Sequence, residues 1–278
     1  DTALQRLGEI GVAVMRGADP SIEAVAGLVQ YREARDSWRA EKVIRQTPAL
    51  PSVDLPAATG VVPTVAAAKA LIGAEVPLTR HALCRTADEA CTAAAAIGYP
   101  VAMKIESADL PHKTEAGGVL LGLADEAAVR SAFDEITGNA KRFDASASID
   151  GVIVQEVAQG TLELVVGLKR DPVFGMVIMV GLGGVFVEVL RDVVFRKAPV
   201  TPTQAADMLR SLQGAAMLDG VRGASPVDMD ALTELIAVVS RFGAAAAQQV
   251  AELDLNPVLA GPDGAMAVDW LLIQDTDH

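Results

Sequence analysis

From Thr64 to Gln274 the apolar residues switch repeatedly between strand and helix spacing, and the order of those switches constrains the fold more than any other feature. TVAAAKALIGA reads as a short helix, VPLTRHALCRT as a strand, and ADEACTAAAAIG as a helix with Gly98 where a left-handed cap is needed. YPVAMKIES and GGVLLGLA are predicted strands, and DEAAVRSAFDEITGNAKRF is an amphipathic helix. GVIVQEVA and TLELVVGLKRD follow as strands. MVIMVGLGGVFVEVLRDVVFRKAP reads as two or three strands broken at Gly181, Gly183 and Gly184. TPTQAADMLRSLQ and PVDMDALTELIAVVSRFGAAAAQQV are predicted helices, the second with Pro226 in its first turn. AELDLNPVLAG and AMAVDWLLIQ form a hairpin joined at Pro262, Asp263 and Gly264. Strand–helix–strand alternation followed by hairpins predicts an α+β, α/β-layered module of two lobes.

Residues 1–50 read as a separate piece, and residues 51–278 as the module itself. In the first piece Ile10–Met15 is a predicted short strand, and a helix starting at Ser21 carries Ile22, Val25, Leu28 and Val29 at helical spacing. Pro48, Pro51 and Pro56 then mark an extended linker. The chain starts at Asp1 rather than Met, which suggests an excised part of a longer protein.

With 278 residues, 51% of them hydrophobic and 21% charged, the chain can bury a core without staples and is not disordered. The first 50 residues balance seven basic against seven acidic side chains, so the whole net charge of −13 falls on residues 51–278. Such a surface disfavours nucleic acid as a partner, while local lysines, backbone N–H groups and a metal ion can still hold a nucleotide. The longest uncharged apolar stretch, Phe174 to Val187, has 14 residues interrupted by glycines, too short to span a bilayer. Cys84 and Cys91 match no metal spacing or disulfide pattern and predict a reduced, cytoplasmic setting.

Several residues carry chemical potential. In YPVAMKIES, alternation puts Val101, Met103 and Ile105 on one face and Lys104 on the other, between Ala102 and Glu106. A mid-strand lysine among apolar residues needs a partner such as a phosphate, unless that face is simply solvated. SADLPHKTEAGGV holds His112 and Lys113 in a polar loop ending at Gly117 and Gly118. Paired glycines let backbone amides approach a phosphate, and an imidazole can accept a phosphoryl group. An ordinary loop histidine beside a turn fits the same string. Gln155, Glu156 and Val157 end a strand where an adenine's polar rim could lie, and Glu163 opens the next strand, near ribose or metal. A plain hairpin with a polar end is the alternative. Asp254 and Asn256 share a strand face, with Asp269 on the partner strand. Oxygen ligands so placed suit Mg²⁺ bound to phosphates, or else form the wet face of an edge hairpin.

Taken in order, VAMKIESADLPHKTEAGGV, ELVVGLKRDPVFG, GLGGVFVEVLRDVVFRKAP, GVRGASPVD and ELDLNPV…AVDW resemble the ATP-grasp module of the NDP-forming acyl-CoA synthetases, ADP-forming acetate–CoA ligases among them, relatives of succinyl-CoA synthetase. The resemblance runs from about Thr64 to Gln274. It implies the two-lobed ATP-grasp fold, preceded in residues 1–50 by the tail of a CoA-ligase-type domain. It also implies that Lys104 contacts ATP phosphates, Gly117 and Gly118 belong to a phosphate-covering loop, Gln155 to Val157 form the adenine hinge, and Glu163 binds ribose or helps order the site. Asn256 and Asp269 match the Mg²⁺ ligands, with Asp254 close to them as a further candidate metal ligand, and His112 matches a histidine that relays phosphate.

The implied reaction converts a carboxylic acid, CoA and ATP into acyl-CoA, ADP and phosphate through phosphohistidine and acyl phosphate. CoA is then a co-substrate bound mainly by CoA-binding domains of the same or a companion chain, and the complete enzyme is expected to be oligomeric. Glu188 and Asp192 are candidates for orienting the histidine, and Arg196 and Arg222 for binding anions. Two other readings fit parts of the pattern: a non-catalytic nucleotide-binding regulatory module of an acetyltransferase-like chain, and a carboxylate–amine ligase. Retention of Lys104, His112, Asn256 and Asp269 disfavours the first, and the second leaves His112 unexplained.

Overall fold

In a computed structural model of the chain, all residues are described except 1–5, 8, 12–16, 45–49, 57–58, 108, 111–112, 185–191, 222 and 276–278. Contacts divide the chain into two units, Asp1–Ala49 and Leu50–His278. The first contains helix α1 (Ala18–Ile44), with Asp19 in its first turn, where a carboxylate complements the helix dipole. Ile22, Val25, Leu28 and Val29 are exposed on it. Ile10 and Gly11, expected to open a strand, lie in a turn instead, and 12–15 fall outside the described residues.

The second unit is built on two sheets. The larger contains β1 (Gly60–Val61), β6 (Leu162–Asp171), β7 (Gly175–Leu182), β8 (Val193–Lys197), β9 (Val250–Gly261), β10 (Gly264–Ala267) and β11 (Trp270–Gln274), in the order β1-β11-β9-β6-β7-β8 with β10 also on β9. The smaller contains β2 (His81–Cys84), β3 (Val101–Glu106), β4 (Val119–Leu123) and β5 (Gly151–Glu156), in the order β2-β5-β3-β4. Paired strands within both sheets are antiparallel. A parallel bridge between Leu78 and Ala267 joins the approach to β2 to the end of β10.

Each sheet has its own core. Met103, Ile105, Val152 and Val154 of the small sheet pack with helices α3 (Ala87–Ile97) and α4 (Glu126–Phe143). On α4, Val129, Phe133, Ile136 and Ala140 recur at helical spacing and form the buried stripe. Thr86 and Asp125 accept from the backbone N–H groups of Glu89 and Ala128 and so start α3 and α4. Gly98 ends α3 at φ 100°, with its N–H on the Ala94 carbonyl. The large sheet packs with α2 (Thr64–Gly73), α5 (Pro202–Arg210) and α6 (Met229–Ala245) around Leu164, Leu168, Ile178, Leu182, Leu209 and Phe242.

Three expected details differ. Gly181 does not break its strand: it is paired with Val193 inside β7, and the strand ends at Gly183–Gly184. Pro226 lies outside α6, because the Asp228 carboxylate caps the Ala231 N–H and starts the helix later. The C-terminal partner strand is split in two, since β9 is long enough to pair with β10 through Val258–Gly261 and with β11 through Val250–Leu255. Asp269 therefore sits in the break between β10 and β11 rather than in a strand.

Helix α5 starts with a reciprocal capping box in which the Gln204 N–H donates to Thr201 Oγ1 and the Thr201 N–H to Gln204 Oε1. Thr201→Ala is expected to cost about 1 kcal/mol, read as a lower denaturation midpoint at unchanged slope; an unchanged midpoint overturns this assignment. Cys84 and Cys91 are free and buried, and burial, then Glu89 and Cys91, pushes the Cys84 thiol up to about 11. No helix among the described residues is long and apolar enough to cross a membrane.

Candidate functional site

The polar face of β3 looks into a cleft of 670 Å³ whose other walls are the N-terminus of α2, the 113–115 turn, and β9 with the β10–β11 break. Alternation along β3 buries Met103 and Ile105 fully and leaves Lys104 and Glu106 on the cleft side. Lys104 Nζ lies 3.2 Å from Asp269 Oδ2, its side chain 14% exposed. Asp254 and Asn256 reach the same cleft from β9. The four residues expected to hold phosphate and metal are thus brought together: Lys104, Asp254, Asn256 and Asp269.

Glu106 and Lys113 were given no role at the level of sequence, and they complete the wall. Glu106 Oε1 accepts from the Thr64 N–H at 3.0 Å, and Oε2 accepts from Lys113 Nζ at 2.9 Å. Burial alone would raise the Glu106 carboxyl; the Lys113 charge and the hydrogen bonds from Thr64 and Lys113 outweigh it and hold it below the usual range. That contribution to stability is present above the ordinary carboxylate value of 4.5 and is lost as pH falls through the depressed folded-state value. The signal that could have found Glu106 is its i+2 spacing from Lys104, on the face opposite Met103 and Ile105.

Asp254 has the opposite character. Desolvation, then the charges of Glu252 and Asp269, push its carboxyl above the ordinary range. Among the described lining residues, the carboxylates of Glu106, Glu115, Asp150, Asp254 and Asp269 face two ammonium groups, Lys104 and Lys113. Two carboxylates and an amide oxygen crowded in a cleft with surplus negative charge fit a hard divalent cation. Among the described residues no three His, Cys, Asp or Glu side chains form a metal-holding group alone. Two carboxylates and one amide oxygen leave coordination positions for further oxygen ligands.

Other expected site residues lie elsewhere. Gln155 is buried, and its Nε2 donates to the Val268 carbonyl at 2.6 Å and to Thr79 Oγ1, so its side chain ties β5 to the residue before Asp269. Glu156 accepts from the Arg80 N–H and Nε, both at 2.7 Å, and Val157 is exposed. None of these three, nor Glu163 on β6, lines the cleft. The Gly117 and Gly118 N–H groups donate to the Thr114 and Lys113 carbonyls at 3.0 and 2.8 Å, within their own turn. Asp192, a candidate for orienting a histidine, instead accepts from the Gln213 and Gly214 N–H groups with its two oxygens. Arg196 faces Asp207 at 3.9 Å. His112, Glu188 and Arg222 lie outside the described residues. His81 tilts against Trp270 with ring centroids 4.9 Å apart, and Trp270 Nε1 donates to the Thr64 carbonyl.

A family model described as the ATP-grasp domain matches residues 55–273. The chain is 44% identical over 189 residues to an ADP-forming 4-hydroxybutyrate–CoA ligase of Nitrosopumilus maritimus, a match covering 68% of this chain and 27% of that protein. It is 39% identical over 198 residues to the beta subunit of ADP-forming acetate–CoA ligase I of Pyrococcus furiosus, covering 71% of this chain and 85% of the subunit. A solved structure of dinucleotide-forming acetyl-coenzyme A synthetase 1 from Ca. Korarchaeum cryptofilum, in complex with coenzyme A, Ca-AMPCP and HgCl⁺, matches with a TM-score of 0.75 and 39% identity, over 78% of this chain and 94% of that one. The chain spans 27% of the length of the first of these ligases and so corresponds to one part of it. With the domain match running across both sheets and the cleft between them, the chain belongs to the ATP-grasp domain family, together with the beta subunits of ADP-forming acetate–CoA ligases.

Proposed function

We propose that this chain is the ATP-binding, phosphoryl-transferring part of an ADP-forming acyl-CoA synthetase. The observation that carries the proposal is the convergence of Lys104 from one sheet with Asp254, Asn256 and Asp269 from the other on one cleft. Membership alongside the beta subunits of ADP-forming CoA ligases favours this reading over a regulatory module without turnover.

In this reading the triphosphate of ATP lies between β3 and β9. Lys104 exchanges its contact with Asp269 for phosphate oxygens and neutralises charge on the transferring group. Asp254, Asn256 and Asp269 would hold Mg²⁺, which, when bound, supplies charge neutralisation across the phosphates. Gln155, through the Val268 carbonyl, fixes the backbone that presents Asp269. The backbone at Glu156 and Val157 serves the adenine edge and Glu163 the ribose. The turn that ends at Gly117 and Gly118 covers the phosphates as a closed unit, its own carbonyls keeping their N–H groups.

His112 accepts the γ-phosphoryl group: a P–N bond forms from the ring nitrogen's lone pair as the bond to the ADP oxygen breaks, and the other ring nitrogen releases its proton to solvent. CoA-binding domains, which residues 1–50 would adjoin as the tail of a CoA-ligase-type domain, carry the phosphoryl group onward. Transfer to a carboxylate gives acyl phosphate, and the CoA thiol then displaces phosphate.

Calorimetric titration with the non-hydrolysable triphosphate AMPPNP tests the binding half. Affinity between about 1 μM and 1 mM, present with Mg²⁺ and lost in EDTA, is expected. Absence of binding with Mg²⁺ overturns the reading.

A further inference from the structure

Lys113 is fixed at both ends in a way a surface lysine is not. Its backbone carbonyl accepts from the Gly118 N–H at 2.8 Å, and the Gly118 carbonyl accepts from the Ile105 N–H of β3 at 2.7 Å. A Cβ at Gly118 would stand 2.5 Å from Ile105 Cγ2 and 2.9 Å from the Lys113 carbonyl, so only glycine lets the turn lie this close to β3. Asn139 Nδ2 on α4 holds the Gly117 carbonyl at 2.9 Å. At the other end, the ammonium meets Glu106, whose side chain is 9% exposed and whose second oxygen is occupied by the Thr64 N–H. Glu106 projects from a central strand and cannot follow the lysine, so the lysine is placed by the carboxylate.

A lysine ammonium has three donors, and one is used on Glu106. Lys113 lines the same cleft as Lys104, and these two are the ammonium groups among its described lining residues. Lysine normally loses rotamer freedom when it engages a ligand; here the ion pair with Glu106 already restricts that freedom before any ligand arrives.

We propose that Lys113 is a second phosphate-binding cation of the cleft and that Glu106 is the positioning residue that presets it. This rests on the ATP-binding reading above and adds to it two residues and a division of labour between them.

The test is a double-mutant cycle on the 278-residue chain, K113M, E106Q and the double variant, read as AMPPNP affinity with Mg²⁺ by calorimetry. K113M is expected to weaken binding about 10- to 100-fold, and K113R to recover most of the loss. E106Q, which keeps an oxygen for the Thr64 N–H, is expected to weaken binding in the wild-type background and to add nothing in the K113M background. Wild-type affinity in K113M, or losses that multiply in the double variant, overturns the proposal and leaves the ATP-binding reading intact. Absence of AMPPNP binding by the wild type overturns both. If E106Q does not fold, the comparison of K113M with K113R still decides whether the cation at this position binds phosphate.

Discussion

The His112→Asn chain, incubated with γ-labelled ATP and Mg²⁺, is expected to take up no acid-labile label, whereas the wild type does. A neutral imidazole has one ring nitrogen with a free lone pair, and a carboxamide of similar size has no nucleophilic nitrogen. The phosphoramidate that imidazole forms is cleaved by acid and stable to base, which separates it from a phosphoserine or an acyl phosphate. The residues flanking the 111–112 step, Leu110 and Lys113, both line the cleft that holds Lys104 and Asp269. In the proposed reading the variant removes the phosphoryl acceptor and leaves Lys104 and Asp269 in place. Equal label on the variant would move the acceptor elsewhere. An unlabelled wild type that still binds AMPPNP would remove the relay from this chain's chemistry.

Asp254→Asn is expected to act in opposite directions on binding and on stability. In the metal-free protein Asp254 is partly desolvated and lies in the fields of Glu252 and Asp269, which is why its carboxyl is raised. A raised carboxyl means that the charged form opposes folding. The penalty is present in full above the folded-state value, shrinks as pH falls through it, and is gone below the ordinary value of 3.8. In EDTA at neutral pH the amide should therefore stabilise the fold, by no more than about 1 kcal/mol because solvent screens this half-buried group, a gain that vanishes in acid.

The same charge that strains the free protein is what a divalent cation needs. Mg²⁺-dependent affinity for ATP should accordingly drop on the order of 100-fold. Thermal unfolding in EDTA and calorimetry with Mg²⁺ measure the two effects on one sample. A destabilised variant in EDTA, or one with wild-type Mg²⁺-dependent affinity, would show that Asp254 is an ordinary structural carboxylate.

Opposed effects of this kind are expected wherever a cleft is built for a ligand and not for its own stability. Lys104 and Asp269 show the complementary case. Their 3.2 Å pairing satisfies both charges without ligand, with Asp269 half exposed, where such pairs contribute little. A ligand that offers phosphate to one and metal to the other can separate them at small cost.

The period-2 and helical patterns of residues 64–274 were sufficient to place most elements of the second unit, because alternation is a property of neighbouring residues and needs no knowledge of what packs across. They put Lys104 opposite Met103 and Ile105, and Asp254 beside Asn256, and the structure agrees on both. Alternation could not locate Asp269, since that depends on β9 being shared by two partner strands with a break between them. Nor could it show that Gln155 turns inward to Val268, 113 residues away, or that Glu106 reaches back 42 residues to Thr64 while also holding Lys113. Local spacing determined which side chains leave the core. Which of them then face one another was decided only by long-range strand pairing and by the closure of the two sheets around one cleft.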